Sequence, residues 1–224
     1  MHIAFVPARR GSEGFKFKNR LFFDHTANFI DGMDWFDQVI CSSNDENILS
    51  RAAERLYTVH KRSDELSGPT VSIKSVLTNV VEDISLPYDG YIWLFYLPIL
   101  YKDRVDFERT KKIIETEKPG SLCTFVPART HPYSCWTYDN RKRILGQYFS
   151  NDIYRRQDYP QAWAHYHYVY CCKVDEISSL NSELLNSKTR PVFLNSEISD
   201  KLIEVDTPED YKKWKGQIEG NDTQ

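Results

Sequence analysis

Strand-like and helix-like segments alternate along the first 127 residues of this chain, and this alternation constrains the fold more than any other feature. The clearest strand is Tyr91–Leu97, an apolar run that stops at Pro98, as in strands buried on both faces of a parallel sheet. The pattern predicts strands at His2–Ala8, Phe36–Ser43, Tyr57–Lys61, Tyr91–Leu97 and Ser121–Pro127. It predicts helices between them at Arg20–Met33, Asn44–Leu56, Val71–Ile84 and Phe107–Glu117. Such alternation indicates an α/β protein with a mostly parallel sheet and helices on both faces.

Residues 128–170 interrupt the alternation, and their many aromatic residues and turns lead us to expect a small antiparallel excursion. The final part of the chain returns to the earlier pattern. Strands are predicted at Tyr168–Cys172 and Pro191–Asn195, and helices at Asp175–Leu185 and from Pro208 to about Ile218. Because 224 residues suit one core, we predict a single domain over residues 1–224 with an excursion at about 128–170.

Charge and cysteine content narrow the function classes. The chain has 29 basic and 32 acidic residues, a net charge of −3, which excludes the basic footprint of a general nucleic-acid binder. No run approaches the roughly 18 apolar residues of a membrane helix. The five cysteines have no zinc-ligand spacing and indicate reduced thiols. We therefore expect a cytoplasmic protein with neither a nucleic-acid nor a membrane partner.

A basic, glycine-containing loop follows the first predicted strand, with the sequence VPARRGSEGFKFKN at positions 6–19. Backbone N–H groups and cations after a strand suit a phosphate group. The loop matches neither the Walker nor the dinucleotide-binding pattern. Taken alone it is either an anion site or a basic solvated turn, and its place at the carboxyl end of a strand favours the anion site.

This loop resembles the opening signature of the acylneuraminate cytidylyltransferases, the CMP-sialic acid synthetase family. Five further stretches resemble that family in its own order: ICSSNDENI, HKRSDELSGPTVSIKSVL, THPYSCW, RRQDYPQAW and LIEVDTPEDYKKW. The resemblance covers nearly the whole chain. It implies a three-layer α/β/α Rossmann-like nucleotidyltransferase fold with a mostly parallel sheet and a small antiparallel dimerisation excursion, and therefore a homodimer.

The resemblance also implies an enzymatic activity. CMP would pass from CTP to the anomeric hydroxyl of a nonulosonic (sialic-acid-like) or related keto-acid, with release of pyrophosphate and with Mg²⁺ as cofactor. The implied nucleotide-binding residues are Ala8, Arg9, Gly11, Ser12, Lys18, Asn19, Arg62 and Ser72. The implied catalytic residues are Arg9, Lys18 and Asp206, with Asp206 as the candidate base.

Two carboxylates near the C-terminus are candidate metal ligands. Glu204 and Asp206 lie one residue apart, so an extended segment presents both on one face, and hard oxygen ligands suit Mg²⁺ beside phosphates. The resembling family has two metal-binding aspartates there. The alternative is a solvated acidic turn in which Asp206 caps the following helix.

The acceptor side is less clearly marked. Arg155, Arg156 and Gln157 either face a sugar carboxylate, which guanidinium groups grip in bidentate fashion, or form a charged strand edge. The residues assigned to substrate binding are Arg156, Gln157 and Tyr166. His165 and His167 either share a metal or belong to a half-exposed subunit interface, the alternative that we favour.

Three departures from the family pattern fall near the proposed site. Glu13 replaces a lysine, the apolar stretch 93–103 replaces polar residues, and residues 164–167 (AHYH) stand where the family has R-x-N-G. The nucleotide half is thus better kept than the sugar half. Either the acceptor differs from ordinary sialic acid, or the chain is a catalytically weakened nucleotide-binding relative with a regulatory or structural role.

Overall fold

A seven-stranded sheet forms the centre of the protein, whose computed structural model describes residues 1–11 and 14–221. The strands of this sheet are β1 (His2–Pro7), β2 (Gln38–Ser43), β3 (Thr58–Lys61), β4 (Tyr91–Leu94), β5 (Ser121–Pro127), β8 (Trp163–Lys173) and β9 (Arg190–Phe193). Their order across the sheet is β3-β2-β1-β4-β8-β5-β9. All neighbours are parallel except β8, which runs antiparallel to both β4 and β5.

Helices cover both faces of this sheet. Their bounds are α1 (Lys18–Asp31), α2 (Glu46–Glu54), α3 (Ile73–Ile84), α4 (Arg104–Glu117), α5 (Ser196–Lys201) and α6 (Pro208–Asn221). Buried side chains of α1, α2 and α4 share one core cluster, whereas α3 packs into a second cluster on the opposite face. The predicted three-layer α/β/α architecture is confirmed.

The fourth strand shows why its sequence is apolar throughout. Trp93 belongs to the core cluster of α1 and α4, whereas Ile92 and Leu94 belong to the cluster of α3. Successive side chains of a strand point to opposite faces, and here both faces are covered. The predicted strand Tyr91–Leu97 ends earlier, at Leu94, and the chain beyond it turns into the open end of the sheet.

A small hairpin stands apart from the main sheet. It consists of β6 (Trp136–Asp139) and β7 (Ile144–Gln147), paired antiparallel as expected for the excursion. The strand predicted at Tyr168–Cys172 begins five residues earlier, at Trp163, and pairs with β5 from there. The structure therefore assigns the last part of the predicted excursion to the main sheet.

The predicted helix Asp175–Leu185 is wrong. The structure has only a short 3-10 turn at Ile177–Ser179, followed by a tight loop. The Asn181 side-chain oxygen accepts hydrogen bonds from the backbone N–H groups of Glu183 and Leu185, each at 2.9 Å. Asparagine side chains that bond the local backbone compete with helix formation, which explains the difference.

An additional short helix, α5, was not predicted. Asn195 caps it by accepting a hydrogen bond from the N–H of Ile198 at 2.9 Å, so the predicted strand Pro191–Asn195 ends before the cap. Within the part of the chain that the structure describes, no helix is long and apolar enough to cross a membrane.

Candidate active site

A cleft of about 530 Å³ opens at the carboxyl ends of β1 and β4. β1 and β4 are neighbours in the sheet, and the strand order runs outward from them in opposite directions, through β2 on one side and through β8 to β5 on the other. Open α/β sheets bind ligands at such a position. Eight predicted site residues line the cleft: Arg9, Gly11, Lys18, Asn19, Arg62, Ser72, Glu204 and Asp206. The sequence separates them widely, and the sheet brings them together.

The opening loop is held by bonds to the residue that follows β2 and to the first turn of α1. The N–H of Arg10 donates to the Asn44 side chain at 2.8 Å, and the Asn19 amide donates to the carbonyl oxygen of Arg9 at 2.8 Å. Phe17 has a left-handed backbone with φ 56° immediately before Lys18. Such conformations in non-glycine residues store strain and cluster at functional sites, and this one directs the chain into α1 with Lys18 in the cleft.

The four cations of the loop divide between two pockets. Arg9 and Lys18 line the cleft. Arg10 and Lys16 line a neighbouring pocket on the other side of the loop. Only one pair of the loop cations therefore faces the predicted phosphate position.

The backbone of Gly14 lies so close to the backbone of Asp206 that a side chain at position 14 has no room. A Cβ built at Gly14 would lie 2.7 Å from the carbonyl oxygen of Asp206, closer than carbon and oxygen atoms pack. A Cβ at Gly11 would meet no heavy atom within 4 Å among the described residues. Gly14 thus lets the opening loop pack on the segment that carries Asp206.

Arg62 is a buried cation in the wall of the cleft. Its residue is only 6% exposed, and its guanidinium donates to the Ser42 hydroxyl at 3.2 Å and to the Ser42 carbonyl at 3.0 Å. It forms no ion pair with any carboxylate of the described residues. Burial, with a smaller effect of nearby Arg9, lowers the pKa of Arg62 to about 10.

A chain of hydrogen bonds fixes Arg62. Asp83 of α3 lies 3.1 Å from Nε2 of His60, and Nδ1 of His60 lies 2.9 Å from the Ser42 hydroxyl. Because the guanidinium can only donate, the Ser42 hydroxyl accepts from Arg62. The His60 ring then links this hydroxyl to the Asp83 carboxylate.

Glu204 and Asp206 occupy the opposite wall. The N–H of Val205 donates to the Pro98 carbonyl at 3.0 Å, and Glu204 pairs with Ile99 in an isolated bridge, so the segment is extended and both carboxylates line the cleft. Asp206 forms an ion pair with Lys18. Burial against the walls, followed by the charge of Asp206, raises the pKa of Glu204.

Asp206 does not cap the last helix. Thr207 and Asp210 form the reciprocal bonds of a capping box, with the Asp210 N–H donating to the Thr207 hydroxyl at 3.2 Å and the Thr207 N–H donating to the Asp210 carboxylate at 3.0 Å. The side chain of Asp206 therefore lines the cleft instead of capping α6.

The N-terminus of α3 also points into the cleft. Ser72 caps this helix by accepting a hydrogen bond from the N–H of Ser75 at 3.1 Å, and Val71, Ser72 and Ile73 line the cleft. Helix N-termini carry partial positive charge and attract anions. This end therefore adds to the positive potential of Arg9, Lys18 and Arg62.

The structure places Ala8 beneath the cleft. Ala8 is fully buried, its N–H donates to the Ser42 carbonyl at 2.9 Å, and its own carbonyl accepts from the Ser43 hydroxyl. Both of its backbone polar groups have partners within the fold, and the assignment of Ala8 to nucleotide binding stays a prediction. Ser12, also assigned there, lies outside the described residues, as does Glu13.

The sequence reasoning missed Tyr96 and Glu183. Both line the cleft, and burial together with Glu183 and Glu204 raises the pKa of Tyr96. Tyr96 belongs to the stretch 93–103 that was interpreted as apolar, so its phenol was the available signal. Glu183 belongs to the segment predicted as a helix, and only the loop around Asn181 brings it here.

Two further cavities share lining residues with the cleft. A pocket of about 310 Å³ shares Tyr96, Glu183 and Glu204 with it. A further pocket of about 600 Å³ contains Arg129, Tyr166 and Glu204. The Tyr166 hydroxyl is buried and has no hydrogen-bond partner among the described residues.

Arg156 and Gln157 do not reach these cavities. Arg156 lines a separate pocket with His131 and Tyr159. Gln157 follows it in a 3-10 turn, Arg156–Asp158, and is exposed. Arg155 donates to both carboxylate oxygens of Asp158, at 2.8 and 2.9 Å. Arg156 and Gln157 thus lie outside these cavities of their own chain, whereas Tyr166 lines the pocket of about 600 Å³. The assignment of these three residues to substrate binding stays a prediction.

The sheet order, the antiparallel β8 and the cleft define a Rossmann-like nucleotidyltransferase fold. Among solved structures, the chain is similar to the CMP:2-keto-3-deoxy-manno-octonic acid synthetase complexed with CTP, with a TM-score of 0.64 and 12% identity over 98% of this chain and 99% of that one. It is similar to the Francisella tularensis 2-C-methyl-D-erythritol 4-phosphate cytidylyltransferase (IspD), with a TM-score of 0.58 and 11% identity over 95% and 98%. It is also similar to 4-diphosphocytidyl-2C-methyl-D-erythritol synthase from Anaerococcus prevotii, with a TM-score of 0.60 and 12% identity over 97% and 96%.

No protein-family model and no curated protein sequence matches the chain. At identities of 11–13%, the structural likeness shows the fold and leaves the activity to be argued from the site.

Proposed function

We propose that this protein is a CTP-dependent cytidylyltransferase, which transfers CMP to a hydroxyl group of a sialic-acid-like or related keto-acid and releases pyrophosphate. The observation that carries the proposal is Arg62, a buried guanidinium in the cleft wall without a carboxylate partner among the described residues. A buried charge without a counter-charge is costly. A ligand phosphate would supply the missing negative charge.

The other groups of the cleft match a triphosphate. Arg9, Lys18 and the N-terminus of α3 surround the same space as Arg62. Fixed donors and cations of this kind stabilise the negative charge that develops on a leaving pyrophosphate. The cytosine specificity is supported by the resemblance at Ser72 and by the structural neighbours, whose descriptions name cytidylyltransferases or bound CTP.

Mg²⁺ fits the carboxylate wall. Glu204 and Asp206 offer hard oxygen ligands beside the proposed phosphate position, and such ligands suit Mg²⁺. Burial, followed by the charge of Asp206, raises the pKa of Glu204, and a cation between the two carboxylates would stabilise both. When bound, Mg²⁺ would neutralise phosphate charge. Asp206 already accepts one cation, the ammonium group of Lys18.

The proposed reaction is an in-line displacement. The acceptor oxygen forms a bond to the α-phosphorus of CTP, the bond to the bridging oxygen of the β-phosphate breaks, and the electron pair leaves with pyrophosphate. Arg9 and Lys18 stabilise that charge, and Asp206 receives the proton of the acceptor hydroxyl. The ion pair with Lys18 holds the Asp206 carboxylate beside the cation that faces the phosphates.

The cavity beyond Glu204 has room for a polar acceptor, with a volume of about 600 Å³. Arg129 is the cation in its lining that could meet an acceptor carboxylate, because Lys213 pairs with Asp210 at 3.6 Å. The buried Tyr166 hydroxyl has no partner among the described residues, and such groups are costly unless a ligand satisfies them. A polar acceptor oxygen would do so.

Binding without turnover is the second candidate. It is favoured by the position of Arg156 and Gln157, which lie away from the cleft of their own chain, and by Ala164, which stands where the resembling family has an arginine. In that case the chain would be a nucleotide-binding relative with a regulatory or structural role.

We test the proposal with CTP binding and pyrophosphate release. CTP with Mg²⁺ should raise the melting temperature more than UTP, which differs only in the base, since a ligand at 100 times its Kd adds about 2.7 kcal/mol. Pyrophosphate release should then depend on an eight- or nine-carbon keto-acid. Lys18→Ala should abolish release, and Lys16→Ala is the matched control because Lys16 faces the other pocket.

The outcomes separate the candidates. A CTP shift with release across a panel of keto-acids supports the enzyme. A CTP shift without release from any of them selects the nucleotide-binding relative. If Lys18→Ala and Lys16→Ala released pyrophosphate equally, the result would contradict the enzyme, and no melting shift at millimolar CTP would contradict both candidates.

A further inference from the structure

Two histidines and one glutamate converge in the small pocket between the nucleotide cleft and the acceptor cavity. His165, His167 and Glu183 each present a ligand atom, and these three atoms all lie within 4.8 Å of one another. Nε2 of His165 and Oε2 of Glu183 are 3.8 Å apart. Two ligands of a tetrahedral zinc ion stand roughly 3.4 Å apart at ordinary bond lengths, so small side-chain movements would close the site.

The backbone fixes the three side chains. His165 and His167 are two apart on β8, so both project on the same side of the strand, and their rings are 5.3 Å apart. Glu183 is held by the loop in which Asn181 binds the backbone N–H groups. The residues that were predicted as a helix, Asp175–Leu185, therefore include the loop that places Glu183 beside the histidines.

One further bond prepares His167 as a ligand. Nε2 of His167 lies 3.0 Å from the carbonyl oxygen of Glu183, and a carbonyl can only accept, so Nε2 carries the proton. Nδ1 is left with its lone pair. Histidines that bind metals characteristically donate the other ring N–H to a carbonyl or carboxylate, and this arrangement is present without the metal.

The donor set selects the class of ion. Two imidazoles and one carboxylate suit Zn²⁺ and its neighbours in the transition series, whereas Mg²⁺ prefers oxygen ligands alone. Three protein ligands leave at least one position open, as in catalytic rather than structural zinc sites. His165 and Glu183 are exposed, so an ion and a substrate oxygen can both enter.

We propose that His165, His167 and Glu183 bind a Zn²⁺-class ion whose open position receives a carboxylate or keto oxygen of the acceptor. The role in acceptor binding rests on the proposed cytidylyltransferase function, and the metal site itself does not. The pocket contains Glu204 as well as the three ligands, so the acceptor would be held beside the carboxylate wall. The ion would take the place of the arginine for which this chain has Ala164.

The metal site is tested with Co²⁺ alone, added to the chelator-treated chain without nucleotide or acceptor. We expect one equivalent to bind with the visible absorption of imidazole-coordinated Co²⁺, and Zn²⁺ to displace it. Loss of the hydrogen-bond partner of a metal ligand typically weakens metal binding by roughly 10–100-fold. Because His165→Ala and Glu183→Gln each change a ligand itself, each should weaken Co²⁺ binding by more than this. His131→Ala is the control because His131 lies in a different pocket.

The acceptor role is tested by steady-state kinetics of the Zn²⁺-loaded protein. His165→Ala should raise the KM of the acceptor by roughly 10-fold or more, the effect of one charge-assisted contact, and should leave the KM of CTP within about twofold. Unchanged Co²⁺ binding in His165→Ala and Glu183→Gln would overturn the site. An unchanged acceptor KM in a variant that has lost Co²⁺ would overturn its role in acceptor binding.

The two proposals fail separately. If no keto-acid releases pyrophosphate, the cytidylyltransferase proposal fails, and the Co²⁺ titration still decides the metal site. Folding of each variant is checked by its melting temperature, and Glu183→Gln keeps the shape of the side chain if His165→Ala does not fold.

Discussion

Arg62→Met is the most informative substitution in the cleft, because the physical argument predicts opposite effects on stability and on ligand binding. Methionine keeps a long side chain in the buried position and removes the charge. It also removes the bonds to the Ser42 hydroxyl and carbonyl, at 3.2 and 3.0 Å. The hydroxyl keeps its bond to His60 at 2.9 Å.

The expected magnitudes follow from burial. The pKa of Arg62 is lowered to about 10, from an ordinary value above 12, and one pKa unit corresponds to about 1.4 kcal/mol. The unfolded chain therefore holds this proton more tightly, and the charge opposes folding by roughly 3 kcal/mol at neutral pH. Loss of two hydrogen bonds costs about 1 kcal/mol each. The variant without nucleotide should be about 1 kcal/mol more stable than the original chain.

Binding of CTP should change in the other direction. A hydrogen bond to a charged group contributes about 1.5–3 kcal/mol, which corresponds to a roughly 10- to 150-fold weaker Kd. The assay is urea unfolding at pH 7 with and without CTP and Mg²⁺. Arg190→Met is the matched control: Arg190 lies on the edge strand β9 and pairs with Glu117 at 2.7 and 3.1 Å. It should lose up to about 1 kcal/mol and keep CTP binding.

A specific result would refute this reasoning. If Arg62→Met were less stable than the original chain by more than about 1 kcal/mol and bound CTP with unchanged affinity, Arg62 would be a structural cation. The anion-binding interpretation of the cleft would then lose its main support.

Three further predictions concern the opening loop, Lys102 and the predicted homodimer. Gly14→Ala should impair CTP binding because a Cβ there meets the Asp206 carbonyl at 2.7 Å. Gly11→Ala is the control, because a Cβ there meets nothing within 4 Å among the described residues. Equal CTP-induced melting shifts in the two variants would contradict this. Burial lowers the pKa of Lys102 to about 7, so the unfolded chain binds the proton more tightly between about pH 7 and 10 and stability should rise with pH. Lys102→Met should therefore be more stable at pH 7, with an advantage that shrinks by up to about 1.4 kcal/mol per pH unit towards pH 10, and a pH-independent difference in urea unfolding would exclude this explanation. We also predict a homodimer through the β6–β7 hairpin, where Trp136 is 54% exposed and aromatic residues are typical of interfaces; sedimentation should show a dimer that Trp136→Glu dissociates, and a monomer at micromolar concentration would disprove it.

Not all aromatic residues of the predicted excursion are exposed enough to form a subunit interface. Tyr168 is buried in the main core, and Trp163 packs on Phe193 with ring centroids 4.3 Å apart. The exposed apolar residues of the excursion are instead Trp136, Tyr138, Ile144, Leu145, Tyr148, Phe149 and Tyr154. The dimer remains a prediction, with its surface moved to the hairpin.

The sequence alone determined the layered architecture and the position of the basic loop at the cleft. Local periodicity distinguishes buried strands from amphipathic helices, because each side chain's direction depends only on its position along its own element. A basic loop after the first strand must lie at the carboxyl edge of a parallel sheet, and for that reason Arg9 and Lys18 were expected there. Arg62 lies far from this loop in the sequence and was assigned only from the family resemblance.

Only the tertiary structure decided which residues meet in the small pocket beside the cleft. Glu183, Tyr96 and His167 lie together there because β8 runs antiparallel beside β4 and because the side chain of Asn181 replaces a helix with a loop. Arg156, although it belongs to a stretch that resembles the family, lines a different pocket. Contacts between residues far apart in the sequence depend on strand pairing and loop geometry, which no local pattern encodes. The position of the basic loop was therefore predictable, and the composition of this pocket was not.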